Sequence, residues 1–484
     1  MLSISEGDIL NMKRQLKTLI IALSAVLVLV IGVVVFDAIS KRNNNNLPEV
    51  QATEYNVIAE NYKNLVKIEV ENKNDRFVIE RGEDEVLSIS EFEGFPQSTG
   101  NYTIVSSGVS NFITKYKIEN PENLDDYGLK SPQATVSIYY SSGRSYKIFI
   151  GNQADYSAGM GYYSRLDGDN NVYVLDSSAA ELLICPKINY ISLVLSNSTS
   201  EDLIADVNTI SFSGTDVVPF SLSKAKITYD GLEYDDTLKL NRPYDIYVDE
   251  DKAESVLSSL LNLFATEVEK LGTTTADLQK YGLLNPSCKA EINMGSDETL
   301  VISVGGKAPD GMRYIMTDKY DVVFKVQEEN ISNFSKIAPK NIMSARPVLP
   351  SIFLVKNLIV ETGGKSYNFE ITSDPNDTSY IKIKLDGKEV DTANFKKFYA
   401  TTIDYEAVDT ATSGASGEKE LTLTYVYRDS ATPSDKIEFY YNEARQYKAV
   451  KNGDSYFITN YNGVKNIITR LEKLLNGEEI GDIY

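Results

Sequence analysis

The clearest metal-ligand spacing in the chain lies in the stretch RLDGDNNVYVLD. Asp167, Asp169 and Asn171 offer oxygen ligands at alternate positions, as at the start of a calcium-binding loop. The pattern then breaks, because Val172 stands where such a loop has glycine and Ser178 stands where it has glutamate. We therefore predict a turn rather than a calcium site at this stretch.

A second spacing, Ser221-x-x-Lys224, matches that of serine–lysine acylases. The partner motif K-T-G is absent and both residues fall on a predicted strand, so we interpret the match as coincidence. The chain contains no histidine, which removes the Ser-His and Cys-His nucleophile pairs. Two cysteines without histidine do not make a zinc site, and spacing alone leaves open whether Cys185 and Cys288 pair. We assign no catalytic, cofactor-binding or metal-binding residue and expect no cofactor.

Two further chemistries need neither histidine nor metal. Paired carboxylates can hydrolyse glycosides, but the sequence singles out no pair among its 69 acidic residues. Tyrosine pairs at residues 139–140, 162–163 and 440–441 could stack on sugars. Alternation along a strand turns one ring of each pair toward the core, so we favour a structural role for these tyrosines.

Composition argues against nucleic-acid partners. The 484 residues include 48 basic and 69 acidic side chains, for a net charge of -21. Such a surface repels phosphate groups. Walker A and G-x-G-x-x-G motifs are also absent, so the sequence predicts neither nucleic-acid binding nor ATP binding by this chain.

An uncharged apolar run, Leu19–Phe36, is long enough to cross a bilayer. Basic residues precede it, and this favours a cytoplasmic N-terminus. The run is longer than the apolar core of a cleaved signal, so we predict a single-pass anchor in the cell membrane with the bulk of the chain extracytoplasmic. A translation start at Met1 fits this layout, and so does a start at Met12.

The rest of the chain repeats itself. YGLKSPQATVSI at Tyr127–Ile138 and YGLLNPSCKAEI at Tyr281–Ile292 each precede a pair of alternating strands, the second of which ends at Gly151 or Gly305. Glycine permits a turn and proline begins a strand, so turn chemistry explains the phrase. A third copy, from Lys356, lacks the phrase but keeps the order of strand pair, helix and strands.

Helical spacing predicts main helices in residues 249–271 and 392–408, and a closing helix that ends at Gly477. In the first of these the apolar residues at helical spacing are Val256, Leu257, Leu260, Leu261 and Phe264.

These patterns predict an α+β fold class: an N-terminal single transmembrane helix followed by three repeated α+β units of mainly antiparallel strands, each with one main helix. The expected divisions are a short cytoplasmic N-terminus at 1–18, the transmembrane helix at 19–36, a polar linker at 37–55, and repeat units at 56–200, 201–345 and, more divergent, 346–484.

The repeated motifs also carry a family resemblance. YGL-x-x-P before an alternating strand, then I-x-[IV]-G, then YY or RY leading to VYVLD or VVFKV, resembles the bacterial domain of unknown function 4340 family. The first two copies match by motif and the third by the order of its elements. The resemblance implies a membrane-anchored extracytoplasmic protein, encoded beside permease and ATPase chains of a gliding-motility type of ABC transporter, with no established catalytic residue.

We therefore expect a non-catalytic accessory or interaction subunit of an ABC transporter complex. The alternatives are a cell-envelope polysaccharide- or protein-binding module and a carboxylate-based hydrolase.

Overall fold

The computed structural model describes residues 54–154, 160–229, 232–295, 298–374, 377–411, 417–428, 433–442 and 445–482. The apolar run at Leu19–Phe36 lies outside these residues, so its role as an anchor stays a prediction. Across the described ranges, no helix combines the length and the apolar character that a membrane crossing requires.

The first large sheet is built from the N-terminal third of the described chain. Strands β1 to β10 are Tyr55–Ala59, Leu65–Asn72, Arg76–Arg81, Leu87–Ser88, Asn111–Thr114, Lys117–Ile118, Ala134–Tyr140, Ser145–Gln153, Gly161–Leu166 and Val172–Asp176. Eight of them form an antiparallel sheet in the order β4-β3-β2-β7-β8-β9-β10-β6, and β1 pairs with β5 in a two-stranded sheet.

The second and third large sheets follow along the chain. Strands β11 to β18 are Val207–Ser213, Phe220–Tyr229, Leu232–Leu240, Glu267–Leu271, Cys288–Met294, Thr299–Lys307, Arg313–Thr317 and Val322–Val326. Strands β19 to β27 are Val355–Thr362, Lys365–Asp374, Asp377–Leu385, Lys388–Val390, Ala407–Thr410, Lys419–Tyr427, Ser434–Asn442, Gln446–Lys451 and Ser455–Asn460. The orders are β13-β12-β11-β15-β16-β17-β18-β14 and β22-β21-β20-β19-β24-β25-β26-β27-β23. In the second and third large sheets the edge strands β14 and β23 each follow a helix directly, and in the first the edge strand β6 follows β5, which itself follows a helix.

The helices of 12 or more residues contribute their buried side chains to the same core as the sheets. Helices α1 to α7 are Thr99–Ser110, Ser177–Ile184, Leu203–Asp206, Glu250–Leu261, Thr275–Lys280, Thr392–Ile403 and Tyr461–Leu475. The three long helices that precede an edge strand, α1, α4 and α6, each have 12 residues. Each begins at a side-chain cap, from Ser98, Asp249 and Asp391, that accepts a backbone N–H of the first turn. Their residues can therefore be compared position by position.

Alternation along the central strands places the core. In the first sheet Ile68, Val70, Val136 and Ile138 are at most 1% exposed. Their neighbours in sequence are more accessible, as expected for a sheet packed on one face. Burial of these alternate side chains fixes the strand register, because a slip of one residue would turn them to solvent.

The predicted fold class is wrong. The described residues are mostly antiparallel sheet, with 43% strand and 23% helix, in four sheets rather than in three α+β units with one main helix each. The helix predicted for 249–271 ends at Leu261, and the one predicted for 392–408 ends at Ile403. The helical spacing continues by chance into edge strands β14 and β23, whose pairing satisfies the backbone groups there.

The predicted closing helix is confirmed. Helix α7 ends beside Gly477, which adopts φ 71°. Its amide lies 3.2 Å from the Leu474 carbonyl oxygen.

A connecting segment links the first sheet to the second. This first connector, residues 190–196, begins against α1, where the Ser98 amide donates to the Tyr190 carbonyl at 2.8 Å. It then reaches the chain beyond α4, where the Leu195 amide donates to the Leu263 carbonyl at 2.9 Å. One short segment is thus hydrogen-bonded to both parts of the molecule.

The second connector, residues 342–346, repeats this arrangement between the second and third sheets. The Asp249 amide at the start of α4 donates to the Ile342 carbonyl at 2.9 Å. The Ala407 amide beyond α6 donates to the Ala345 carbonyl at 2.7 Å. Strand β1 occupies the same place beyond α1, because it pairs with β5.

Candidate functional site

The calcium-like stretch folds as a turn that uses its own carboxylate. Oδ1 of Asp169 accepts from the backbone and side-chain nitrogens of Asn171 at 2.9 and 2.8 Å, and Oδ2 accepts from the Tyr173 hydroxyl at 2.8 Å. Burial alone would raise the pKa of Asp169, but these hydrogen bonds lower it on balance. No group of three or more acidic, cysteine or histidine residues in the described part of the chain is placed to hold a metal ion.

The serine–lysine spacing does not form a catalytic pair. Ser221 and Lys224 are three positions apart on β12, so their side chains point to opposite faces of the sheet. The Asn241 amide donates to Ser221 Oγ at 2.8 Å, and Lys224 Nζ donates to the Ala205 carbonyl at 2.5 Å.

Both cysteines are free thiols. Cys185 Sγ donates to the Leu182 carbonyl at 3.2 Å, and Cys288 Sγ donates to the Phe334 carbonyl at 3.3 Å. Burial raises the pKa of Cys185 to about 11 and that of Cys288 to about 12. Neither side chain has the low pKa of a nucleophilic thiolate.

The tyrosine pairs follow the predicted alternation in two places of three. Tyr140 and Tyr163 are 4% and 8% exposed, while Tyr139 and Tyr162 are half-buried. The pair at 440–441 departs from it, because both rings are half-buried there. On the outer face, Lys67 Nζ lies 4.6 Å from the centre of the Tyr139 ring.

The repeated YGL phrase packs against the glycine that ends the second strand of its copy. A β-carbon at Gly151 would lie under 3.0 Å from the Tyr127 carbonyl oxygen, and one at Gly305 would lie equally close to the Tyr281 carbonyl oxygen. The Gly306 amide also donates to that Tyr281 oxygen at 2.8 Å. The YGL phrase and the glycine that ends the second strand thus form one close backbone contact. This contact explains why the two recur together.

The third sheet has a related close contact at a glycine, although it lacks the YGL phrase. Gly417, at φ 130°, lies against the Tyr441 carbonyl oxygen, as Gly282, at φ 70°, lies against the backbone of Gly306. Sequence reasoning missed this contact. The glycine itself was the available signal.

A buried arginine fixes the second sheet. Arg313 is 5% exposed, and its Nη2 donates to the Gly305 carbonyl and to Ser287 Oγ, both at 2.6 Å. Sequence reasoning missed this residue as well. The signal was the change from YY to RY between the first two copies, which places Arg313 where the first copy has Tyr162.

An exposed apolar patch lies at the first connector. Leu193, Val194 and Phe264 are 36%, 40% and 49% exposed, and Val194 pairs with Phe264 across a β-bridge. The corresponding place beyond α6 is polar. There Glu406 is exposed, and Arg346 of the second connector makes an ion pair with Asp404 at 2.9 Å.

Ion pairs join the second and third sheets. Lys451 Nζ, on a side chain 6% exposed, lies 3.3 Å from Asp245 Oδ2, and Lys239 Nζ lies 2.5 Å from Oδ1 of the same residue. Arg242 pairs with Asp454 beside them. Burial alone would raise the pKa of Asp245, but the hydrogen bond from Lys239 and the charge of Lys451 lower it on balance.

A cleft of about 440 Å³ opens beside α4 in the second sheet. Its polar lining includes Lys252, Ser255, Asn333, Lys336 and Asn341. Asn333 reaches across to α4, because its Nδ2 donates to Ser259 Oγ at 2.8 Å. None of the residues considered from sequence for catalysis or metal binding lies in this cleft.

A family model described as Domain of unknown function (DUF4340) matches residues 109–187 and 239–424, which is more than half of the chain. The matched segments contain both YGL phrases and helices α4 and α6. Neither the curated proteins nor the solved structures include a match to this chain.

Proposed function

The chain belongs to the DUF4340 family of domains of unknown function, and from this premise we propose that it is a membrane-anchored, extracytoplasmic, non-catalytic accessory or interaction subunit of an ABC transporter complex. Residues 19–36 attach it to the bilayer, with the N-terminus cytoplasmic. Its partners are the permease and ATPase chains, as the resemblance of its repeated motifs implies.

The observation that carries this proposal is the way the large sheets are joined. Each connector is hydrogen-bonded to the cap of the helix before it and to the chain beyond the corresponding helix of the next sheet. Three sheets held in series offer a long accessible surface, which suits a protein that contacts other chains. The acidic charge of that surface favours protein partners over nucleic acids.

The apolar patch at the first connector gives further support. The third sheet places Glu406 and an ion pair at the corresponding position, so the fold does not require large apolar side chains there. Exposed clusters of such side chains are typical of contact surfaces. Leu193, Val194 and Phe264 therefore mark the place where we expect a partner chain.

The test is affinity purification of the full-length protein from native membranes in mild detergent, followed by cross-linking and mass spectrometry. Recovery of a permease together with its ATPase, with cross-links near the first connector, is the expected result. An untagged strain controls for carry-over.

Recovery of the chain alone would overturn the proposal. Recovery with cell-wall polysaccharide in place of a transporter would also overturn it and would favour the envelope-binding alternative.

A further inference from the structure

The YGL turn covers part of the outer face of the first large sheet, on the side away from the main core. Leu129 and the half-buried Tyr127 form a small apolar cluster there with Tyr163, Val172 and Val174. The ring centres of Tyr127 and Tyr163 are 5.0 Å apart. The turn leaves the three strand residues, Tyr163, Val172 and Val174, only 8%, 0% and 7% exposed. An aromatic side chain and a leucine two positions later thus cover the outer side of β9 and β10.

The second sheet repeats this arrangement. Tyr281 and Leu283 of its YGL turn form an apolar cluster with Tyr314 and Val323, which lie on β17 and β18. The ring centres of Tyr281 and Tyr314 are 4.6 Å apart, and Tyr314 and Val323 are 9% and 0% exposed. The same two kinds of side chain therefore cover the corresponding strands in a second copy of the fold.

The corresponding positions of the third sheet are occupied by Lys448, Tyr456 and Ile458. Strand β27 runs directly into a helix as β10 does, and this aligns Ile458 with Val174. Ile458 pairs with Lys448 across the strands, so Lys448 stands where the first sheet has Tyr163. Tyr456 precedes Ile458 by two positions and so faces the same side. All three side chains are half-buried rather than buried.

The third sheet lacks the chain that covers these positions in the other two. The connection that carries the YGL turn spans residues 119–133 in the first sheet and 272–287 in the second, but its counterpart spans only residues 411–418. The sequence of this short connection, ATSGASGE, has no aromatic residue and no leucine. The described residues of the third sheet accordingly form no second apolar cluster on its outer face.

Tyr440 extends the uncovered surface onto β25, since it pairs with Lys448 on the side opposite Ile458. Side chains that pair directly across antiparallel strands point to the same face of a sheet. Tyr440, Lys448, Tyr456 and Ile458 are therefore neighbours, and we call them the open face. The second sheet reaches this face where the Tyr456 amide donates to the Pro243 carbonyl at 3.0 Å, and all four side chains stay half-buried in its presence.

We propose that the open face binds a turn of a partner protein that presents an aromatic side chain and, two positions later, a leucine. The internal repeat supports this choice, because such a turn covers the same strand positions twice within the chain. Lys448 contacts the aromatic ring through its ammonium group, and Ile458 and Tyr456 pack on the leucine. The second sheet already shows a lysine in this kind of contact, since Lys280 Nζ lies 4.8 Å from the centre of the Tyr281 ring.

A second copy of the chain is a poor source of this turn. Its own YGL turns are packed in place, with Leu129 and Tyr281 only 4% and 3% exposed. The turn must therefore come from another protein, and the inference takes from the proposed function only that the partner is a protein.

The test uses the chain's own covering segment as the probe. A peptide with the sequence of residues 276–285, ADLQKYGLLN, has no net charge when both ends are capped. It carries an uncharged dye, and fluorescence anisotropy measures its binding to the full-length protein in detergent. We expect Ile458→Ser to weaken binding about tenfold, because an apolar side chain leaves a small contact.

Two further variants make the test specific. Ile359→Ser is the matched control, since Ile359 is also half-buried on the outer face but lies on β19, four strands away from β27. It should leave the affinity unchanged. Lys448→Tyr restores the residue of the first two sheets and should strengthen binding, because a ring then meets the ring of the peptide. Thermal unfolding shows whether each variant is folded.

A control peptide, ADLQKSGSLN, has serine in place of the tyrosine and of the leucine two positions later, and it should not bind. The inference would be overturned if the probe did not bind, if the serine peptide bound equally well, or if Ile359→Ser and Ile458→Ser lost the same affinity. Displacement of the probe by the neutral sugar chitohexaose would also overturn it and would assign the open face to polysaccharide.

The assay contains no transporter, so its failure leaves the proposed function untouched. Failure of the co-purification leaves the peptide-binding result untouched in the same way.

Discussion

The carbonyl oxygen of Tyr281 lies so close to the α-carbon of Gly305 that a β-carbon on Gly305 would stand under 3.0 Å from it. The neighbouring Gly306 differs sharply, because a β-carbon there would lie 3.6 Å from the same oxygen, an ordinary contact. Alanine substitutions at these two adjacent glycines can therefore be compared. The comparison distinguishes the effect of the close contact from the general effect of adding a methyl group to a strand.

Gly305→Ala should destabilise the protein by about 1–3 kcal/mol, since the methyl group forces the YGL turn away from the strand. Gly306→Ala should have a much smaller effect, and the free energy of unfolding in urea measures both. Similar losses for the two variants would show that the close contact with Tyr281 is unimportant.

Arg313→Lys should cost about 2–3 kcal/mol, because lysine cannot donate to the Gly305 carbonyl and to Ser287 Oγ with one planar group and so loses buried hydrogen bonds. Arg76→Lys is the control, since its ion pair with Glu71 is exposed. Thermal unfolding of the two variants gives the comparison. Equal unfolding temperatures would contradict a structural role for Arg313.

Phe264→Glu should change the free energy of unfolding by less than about 0.5 kcal/mol, because Phe264 is 49% exposed and Glu406 holds the corresponding place beyond α6. Its neighbour Leu263 is 2% exposed, and Leu263→Ala should cost about 2–5 kcal/mol. Urea unfolding distinguishes the two variants. A large loss in Phe264→Glu would mean that the patch serves the core rather than a partner.

Asp245→Asn should make the protein less stable near pH 7, and the difference from wild type should shrink in acid. The pKa of Asp245 is lowered in the folded state, so its contribution is complete above the unfolded value of about 3.9 and is lost as pH falls through the lower folded pKa. Urea unfolding between pH 2.5 and pH 7 measures this change.

The control for this prediction is Asp386→Asn, because Asp386 has nearly the same backbone conformation, φ 50° against 49° for Asp245, in an exposed turn. An Asp245→Asn variant with the same acid dependence as wild type would rule out stabilisation through Lys239 and Lys451.

The sequence was informative where a signal is local. Alternation placed the central strands, and Gly477 marked the end of α7, because each of these depends on neighbouring residues. The extent of α4 was misjudged. Phe264 falls at helical spacing with Leu260 and Leu261, yet it lies beyond the end of the helix, in a β-bridge with Val194 of the first connector.

The candidate sites could be predicted less well, because they depend on contacts between distant segments. The environment of Arg313 requires the carbonyl of Gly305 on another strand, and the cleft requires Lys252 to meet the chain near Asn341.

The connectors also determine how the molecule bears load. The first connector is hydrogen-bonded to Ser98 on one side and to Leu263 on the other. A force applied to the chain ends therefore acts on these backbone hydrogen bonds before it acts on either core. Between the second and third sheets the Asp245–Lys451 ion pair adds a side-chain contact to the backbone hydrogen bonds of the second connector. Under tension the protein should therefore lengthen in discrete steps, one joint at a time.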